Sequence, residues 1–533
     1  MILNKIKSYI PVAVAILTMG FMTACTGDLD VDNINPKQTS HLDADALLNK
    51  IYSSFVLTGQ EGPSGNGDIA DIDEGRSDLY RKSWEMNEFP SGEASWQWDD
   101  TGLPELLNKT WGADNASSTG LYYRLFFSIT LCNYYLDEVP GGTTDSNQKR
   151  AEVRFIRSLL YYYIMDFYAN AAFIEHVSTQ PGIRYTRPQY FAYIEKELLA
   201  CESDLAAPGT VQYGRVDKVA AWLLLSRLYL NAEVYTGTPR WADAKTYAEK
   251  VIKNGYYHLN LNEKDVTRRD ENGNVSTEHF NAYQMLFLAD NNENGAQYEN
   301  IFPILNDGLY TQSYGSMHFL VLASYAKRDN SDMDVLIPSG TDVAWGKCMA
   351  VTGLVVDAFF GSGVDAPATT TKASDITTAA GDDRALFYTT NFTRNIEDRS
   401  DEACGYGCVK FRNVRSDGAP ASALAKVDTD LPLMRIAEAY LTYAEAETRL
   451  NGNTTDAADK INALHTRAHA ATHVSYTLND IQNEWVKEFW FEGRNRMDQI
   501  RFGTYNVPAY RYIYPLPTND LTNNPNLVQN PGY

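Results

Sequence analysis

Apolar positions recur at helical spacing in separate blocks along this chain. Over residues 151–167 they fall at Val153, Ile156, Leu159, Leu160, Tyr163, Ile164 and Phe167. That i, i+3, i+4, i+7 stripe predicts an amphipathic helix. Residues 218–235 predict a second. After the Thr236-Gly-Thr-Pro239 turn, residues 241–253 predict a third, stopped by Asn254-Gly255. Ala220, Ala221, Ala232, Ala242, Ala244 and Ala248 supply small side chains where the two helices must approach closely. Residues 436–450, an Asn451-Gly-Asn turn and residues 455–468 repeat the design, and 479–502, 49–57 and 119–137 add further helices. Helix pairs of this kind are the mechanics of a tetratricopeptide-like array. Four degenerate pairs are present, without a strict period of about 34 residues.

Two stretches break the pattern. Residues 58–119 are rich in Gly, Asp, Ser and Trp, and residues 259–422 hold only short apolar runs among Gly, Asn, Asp and Thr. Ordered segments that long are usually functional. The expected fold class is therefore mainly α: a tetratricopeptide-like helical-repeat scaffold with a large, loop-rich, mixed insert. Helical repeats are expected within about 40–57, 119–258 and 432–505, and ligand-binding loops within 58–118 and 259–425.

Composition changes the picture mainly through charge. With 46 Lys+Arg against 68 Asp+Glu the formal charge is −22. A nucleic-acid binder normally carries a basic footprint, so that partner is not expected. Tyr (35) outnumbers Phe (21). Such rings suit either a Tyr-rich helical core or a half-exposed recognition surface.

The first residues read as an address. Lys5 and Lys7 precede an apolar run at residues 9–22, long enough for a secretory signal and too short to span a bilayer. Met22-Thr23-Ala24-Cys25 then reads as a bacterial lipobox, with residues 1–24 removed and Cys25 acylated. Cleavage removes two Lys and no acid, taking the charge from −22 to −24. The acidic Asp28, Asp30 and Asp32 resemble the surface-export signal of Bacteroidetes lipoproteins. Of the other cysteines, Cys132 fits a small buried hydrophobe. Cys404-Gly-Tyr-Gly-Cys408 could close a small disulfide loop, whereas zinc lacks further ligands there.

Longer motifs carry a family resemblance. Residues 150–163 (Arg-Ala-Glu-Val-Arg-Phe-Ile-Arg-Ser-Leu-Leu-Tyr-Tyr-Tyr), 214–230, 432–446 and Glu488-Phe-Trp-Phe-Glu-Gly-Arg-Asn-Arg496 resemble the SusD/RagB family in order along the chain, as do Tyr514-Pro-Leu-Pro517 and the ending Gln529-Asn-Pro-Gly-Tyr533. The resemblance implies a cell-surface, outer-membrane lipoprotein, lipid-anchored through Cys25. Such a protein caps a SusC-type TonB-dependent transporter, captures a glycan and does not catalyse.

Segments in the loop-rich parts resemble the starch-binding founding member of that family. They include Asp71-Ile-Asp-Glu-Gly75, Asp78-Leu-Tyr-Arg81, Trp96-Gln-Trp98, Tyr314-Gly and Asn413-Val-Arg-Ser-Asp-Gly418. The resemblance implies a starch or malto-oligosaccharide ligand. Trp98, Tyr314 and Trp345 match an aromatic arc, and Asp73 and Arg81 match polar contacts. Thr101 stands where the founding member has an Asn. Trp96, two residues before Trp98 in extended chain, falls on the same side and is either a ligand contact or a buried anchor of the loop. Arg81 and Asp73 are either sugar contacts or an internal ion pair. No cofactor is required. A structural Ca²⁺ is a candidate, with Asp290, Asn292, Asp428 and Asp430 as oxygen ligands; the alternative is a solvated acidic loop. A different glycan such as fructan, a glycoside hydrolase using Asp73, Glu74, Asp99 or Asp100, and a protein-binding adaptor are the competing readings.

Overall fold

In a computed structural model of the chain we describe residues 42–63, 66–70, 72–269, 275–326 and 332–533, leaving aside the side chains of 74, 268, 269 and 276. The signal segment, Cys25, Asp28, Asp30, Asp32 and Asp71 lie outside the described residues, as does the Glu74 carboxylate. The chain divides into two compact units, 1–47 and 48–533. The described end of the first holds the opening turn of the Ala44–Ser53 helix, where the Asp43 carboxylate accepts from the amides of Asp45 and Ala46.

The second unit is built from helix pairs. Lys218–Leu230 packs on Trp241–Ile252, which packs in turn on Ala437–Asn451, and that helix on Thr455–Arg467. Ala220, Ala221, Ala244 and Ala248 are fully buried at these contacts. Ala116–Glu138, Thr144–Tyr168 and Arg187–Cys201 pack in sequence likewise. Strands are short and, among the described residues, form five two-stranded antiparallel pairs. No described helix is long and apolar enough to cross a membrane.

The structure corrects several expectations. Residues 58–119 are not only loop: Leu79–Ser91 is a helix with all thirteen residues buried. A helix buried on every side shows no apolar stripe. The expected helix at 479–502 is two, Leu478–Phe489 and Asn495–Phe502. Phe491 and Gly493 take positive φ at the corner, 61° and 77°. That corner docks on the buried helix: Trp84 Nε1 donates to the Phe491 carbonyl at 2.9 Å and Asn87 Nδ2 to the Gly493 carbonyl at 2.8 Å. The helix expected at 218–235 breaks at Asn231, whose amide caps Arg227 and whose carbonyl oxygen accepts from Arg501. Cys404 and Cys408 are both free thiols. Tyr406 bridges to Val351 and Gly407–Cys408 pairs with Phe387–Tyr388, so the chain between the cysteines is held along other strands and not folded back on itself.

Glu488, one residue before the end of the Leu478–Phe489 helix, is a hub of buried ion pairs. It accepts from Arg384 at 3.0 Å, Arg435 at 2.6 Å and Arg467 at 2.5 Å, every partner fully buried. Burial alone would raise its pKa, but the guanidinium groups of Arg467, Arg435 and Arg384 outweigh that and hold the carboxyl far below the usual range.

Candidate functional site

Two short strands position the expected rings. Ala94–Trp96 pairs antiparallel with Met349–Val351, Trp96 opposite Met349. The ladder continues through the Gln97 amide, which donates to the Cys348 carbonyl at 2.7 Å. Trp98 therefore leaves one strand on the side where Trp345 enters the other. Trp345 is fixed by its amide donating to the Leu322 carbonyl at 2.8 Å. Leu322 belongs to the wholly buried Ser316–Ser324 helix, and Tyr314 stands just before that helix.

The three rings form one continuous surface. Trp98 and Trp345 have centroids 6.2 Å apart, and Trp345 and Tyr314 6.3 Å. Trp98 is 43% exposed, and the other two are half-buried. Trp96 has no exposed surface. It lies edge-on behind Trp98 at 5.5 Å and donates its indole N–H to Asp100 at 2.8 Å. Of its two readings, the buried anchor is the one this placement matches.

Arg81 is also buried. Its guanidinium lies over the rings of Phe319, Trp345 and Trp96 at 4.6, 5.6 and 5.7 Å, pairs with Glu85 at 3.2 Å, and donates to the Tyr314 carbonyl at 3.1 Å. Its ion-pair partner is Glu85, not Asp73. Asp78, which caps the Leu79–Ser91 helix, lies against Gly315: a Cβ on that glycine would stand 1.8 Å from Asp78 Oδ2. Burial pushes the Asp78 carboxyl up to about 6, against the hydrogen bond from the Arg81 amide. Helix cap and aromatic loop are thus locked together over two consecutive residues, Tyr314 and Gly315.

Asp73 is exposed and belongs at the Tyr314 end. A Cβ on Gly75 would lie 3.3 Å from Asp73 Oδ1 and 3.0 Å from Tyr314 Cδ2, so the bare glycine lets both sit over it. Thr101 is exposed in the turn after Trp98, before the Leu103–Leu107 helix. Asp99 pairs with Arg399, and Asp100 stands 3.8 Å from Arg76. Sequence reasoning missed two neighbours. Lys426 Nζ lies 3.8 Å from the Tyr314 ring centroid, and burial lowers its pKa to about 8. His318 lies 5.7 Å from Tyr314 and 5.9 Å from Trp345. Burial, with Lys426 and Arg81 adding to it, lowers its pKa to about 3, which leaves the ring neutral. A lysine in a long loop and a histidine in an apolar run carry no sequence signal of this convergence.

The expected calcium ligands do not fit one coordination sphere as placed. Asp290 is buried, with both oxygens accepting from the Ser416 amide at 3.0 Å. Asp428 accepts from Gly308 and Ser422, Asp430 from the Asn306 amide, and Asn292 is exposed. The three carboxylates do not converge within 4.8 Å of one another. Burial pushes Asp430 up to about 8, with the charge of Asp428 adding to it.

Chemically, the arc offers apolar faces flanked by hydrogen-bonding groups, the complement of a sugar's C–H faces and hydroxyls. Comparison with known proteins bears on this geometry. The family model described as the SusD family matches residues 368–509. The starch-binding protein SusD of Bacteroides thetaiotaomicron is 34% identical, covering 98% of this chain and 97% of that protein. A SusD-like carbohydrate binding protein from Bacteroides fragilis superposes with a TM-score of 0.66 at 18% identity, over 91% of this chain and 98% of that one. Surface glycan-binding protein A from Bacteroides thetaiotaomicron, solved in complex with laminarihexaose, gives 0.64 at 18% identity over the same shares. With the fold matching those structures and the sequence matching along nearly its whole length, this chain belongs to the SusD family.

Proposed function

We propose that this protein binds a glycan along the Trp98–Trp345–Tyr314 arc without catalysis, and that the glycan is an α-glucan, starch or its malto-oligosaccharides. The observation that carries the reading is the contiguity of those three rings at the surface, two contacts of 6.2 and 6.3 Å built from three distant segments. Starch is favoured by the near-full-length relative named for binding it. Each ring contact contributes on the order of 1 kcal/mol and each hydrogen bond about the same. After binding costs, roughly 4–6 kcal/mol remains, a dissociation constant of about mM to tens of μM. Weak single sites suit capture of a repeating polymer, where avidity supplies retention. In this reading Cys25 tethers the protein by lipid to the outer membrane at the cell surface, and the glycan passes to a SusC-type TonB-dependent transporter.

Two of the four candidate carboxylates, Asp99 and Asp100, are already engaged with Arg399, Trp96 and Arg76, which supports the non-catalytic part. The laminarihexaose-bound structure of a fold relative favours, as a second reading, the same role with another glycan. Native gels cast with amylopectin, laminarin or levan test both. Retardation by amylopectin alone supports the α-glucan reading. Retardation by another polysaccharide changes the ligand, and none at all ends the glycan reading. Sugar release from maltoheptaose would overturn the absence of catalysis.

A further inference from the structure

Away from the aromatic arc, two histidines face one carboxylate. Glu263 stands just ahead of the strand Lys264–Arg269, which pairs antiparallel with Val275–Phe280 and sets Asp265 opposite His279. His469 lies just beyond the Thr455–Arg467 helix, and the Asp383 amide is tied there by donating to the Ala468 carbonyl at 2.9 Å. His469 holds a left-handed backbone, φ 48°, unusual for a residue with a side chain. That turn brings its ring toward Asp383 and Glu263.

The spacings are those of a ligand shell. His469 Nδ1 is 2.8 Å from Asp383 Oδ2 and 3.5 Å from Glu263 Oε1. One ligand atom from each of the three residues lies within 4.8 Å of the others. His279 Nε2 approaches the other oxygen of Glu263 at 3.5 Å, and its Nδ1 is held by Asp265 at 2.8 Å. Metal bonds of about 2.0–2.1 Å at tetrahedral angles put neighbouring ligand atoms roughly 3.3 Å apart. Carboxylates that bind a metal are themselves held by hydrogen bonds that fix their orientation. Asp383 is half-buried and the others are exposed, so the cluster is open to solvent.

We propose that Glu263, Asp383 and His469 form a binding site for a divalent first-row transition metal, Zn²⁺ being the type, with His279 beside the second oxygen of Glu263 orienting that carboxylate. Mixed imidazole and carboxylate donors suit Zn²⁺, Cu²⁺ or Ni²⁺, whereas Ca²⁺ and Mg²⁺ take shells of six or more oxygens. The cation would clip the 264–280 hairpin to the end of the C-terminal helical repeat.

The test is calorimetric titration of the protein with Zn²⁺ near neutral pH, with thermal unfolding alongside. One equivalent should bind saturably and raise the Tm. His469→Ala, Glu263→Gln and His279→Ala should each weaken Zn²⁺ binding by about tenfold or more while the metal-free Tm and the amylopectin retardation hold. Co²⁺ should give the visible absorption of a four-coordinate nitrogen and oxygen site. Absence of saturable Zn²⁺ binding, or equal affinity in His469→Ala and His279→Ala, overturns the proposal.

Discussion

The buried guanidinium of Arg81 donates to the main-chain carbonyl of Tyr314 at 3.1 Å, holding a surface ring from below. Arg81, 4% exposed, thus places Tyr314 in the arc. Arg81→Lys loses the flat fork that bonds Tyr314 and Glu85 together. It should lower the Tm and weaken amylopectin binding several-fold. Calorimetry with maltoheptaose checks this; full affinity with a lowered Tm would separate Arg81 from the arc.

Trp96 and Trp98 stand two residues apart and should behave oppositely. Trp98→Ala should abolish retardation in amylopectin gels at a stability cost within about 1 kcal/mol, since the ring is 43% exposed. Trp96→Ala empties a fully buried site and should cost about 3–5 kcal/mol. Urea denaturation of both variants beside the gel assay decides it.

Gly315→Ala should weaken both stability and binding. The added methyl would stand 1.8 Å from Asp78 Oδ2, so either the cap of the Leu79–Ser91 helix or the Tyr314 loop must move. Asp78→Ser in the same background makes room and keeps an oxygen at the cap. Partial recovery of Tm in that double variant is the expected result.

Stability should fall as pH rises toward 8. Asp430 keeps its proton to about 8 in the folded chain, whereas an unfolded aspartate loses it near 4. Between those values the folded state binds more protons, so unfolding becomes easier with rising pH. Asp78, raised to about 6, acts in the same direction over the lower part of that window. Asp430→Asn should flatten the decline in Tm between about pH 5 and pH 8. Thermal melts across that range, wild type against variant, provide the measurement.

The repeats were legible because half-buried helices alternate polar and apolar faces, as in Trp241–Ile252, where Ala244, Ala248 and Val251 are buried and the rest face outward or partly so. The Leu79–Ser91 helix was not, because burial of Lys82, Glu85 and Glu88 through ion pairs and hydrogen bonds hides the code that marks an inside. Trp98, Tyr314 and Trp345 came from family resemblance; no periodicity joins them, and only the fold brings them to one surface. Trp96 carried no mark of being under that surface instead of on it. The four groups around Glu263 come from three separate stretches, so their meeting is a property of tertiary structure alone.

The Glu488 hub has a consequence for how such proteins diversify. Two of its surroundings come from the loop-rich insert: Arg384, bonded to Glu488 itself, and Lys410, whose ammonium donates to Glu492 at 2.8 Å and to the Trp490 carbonyl. The loop-rich insert is therefore not a cassette that can be grafted freely between scaffolds. A chimera that exchanges it without a basic residue at 384 would remove one of the three guanidinium groups that balance Glu488, so new specificities are more readily reached by changing the rings at the rim than by trading the whole segment.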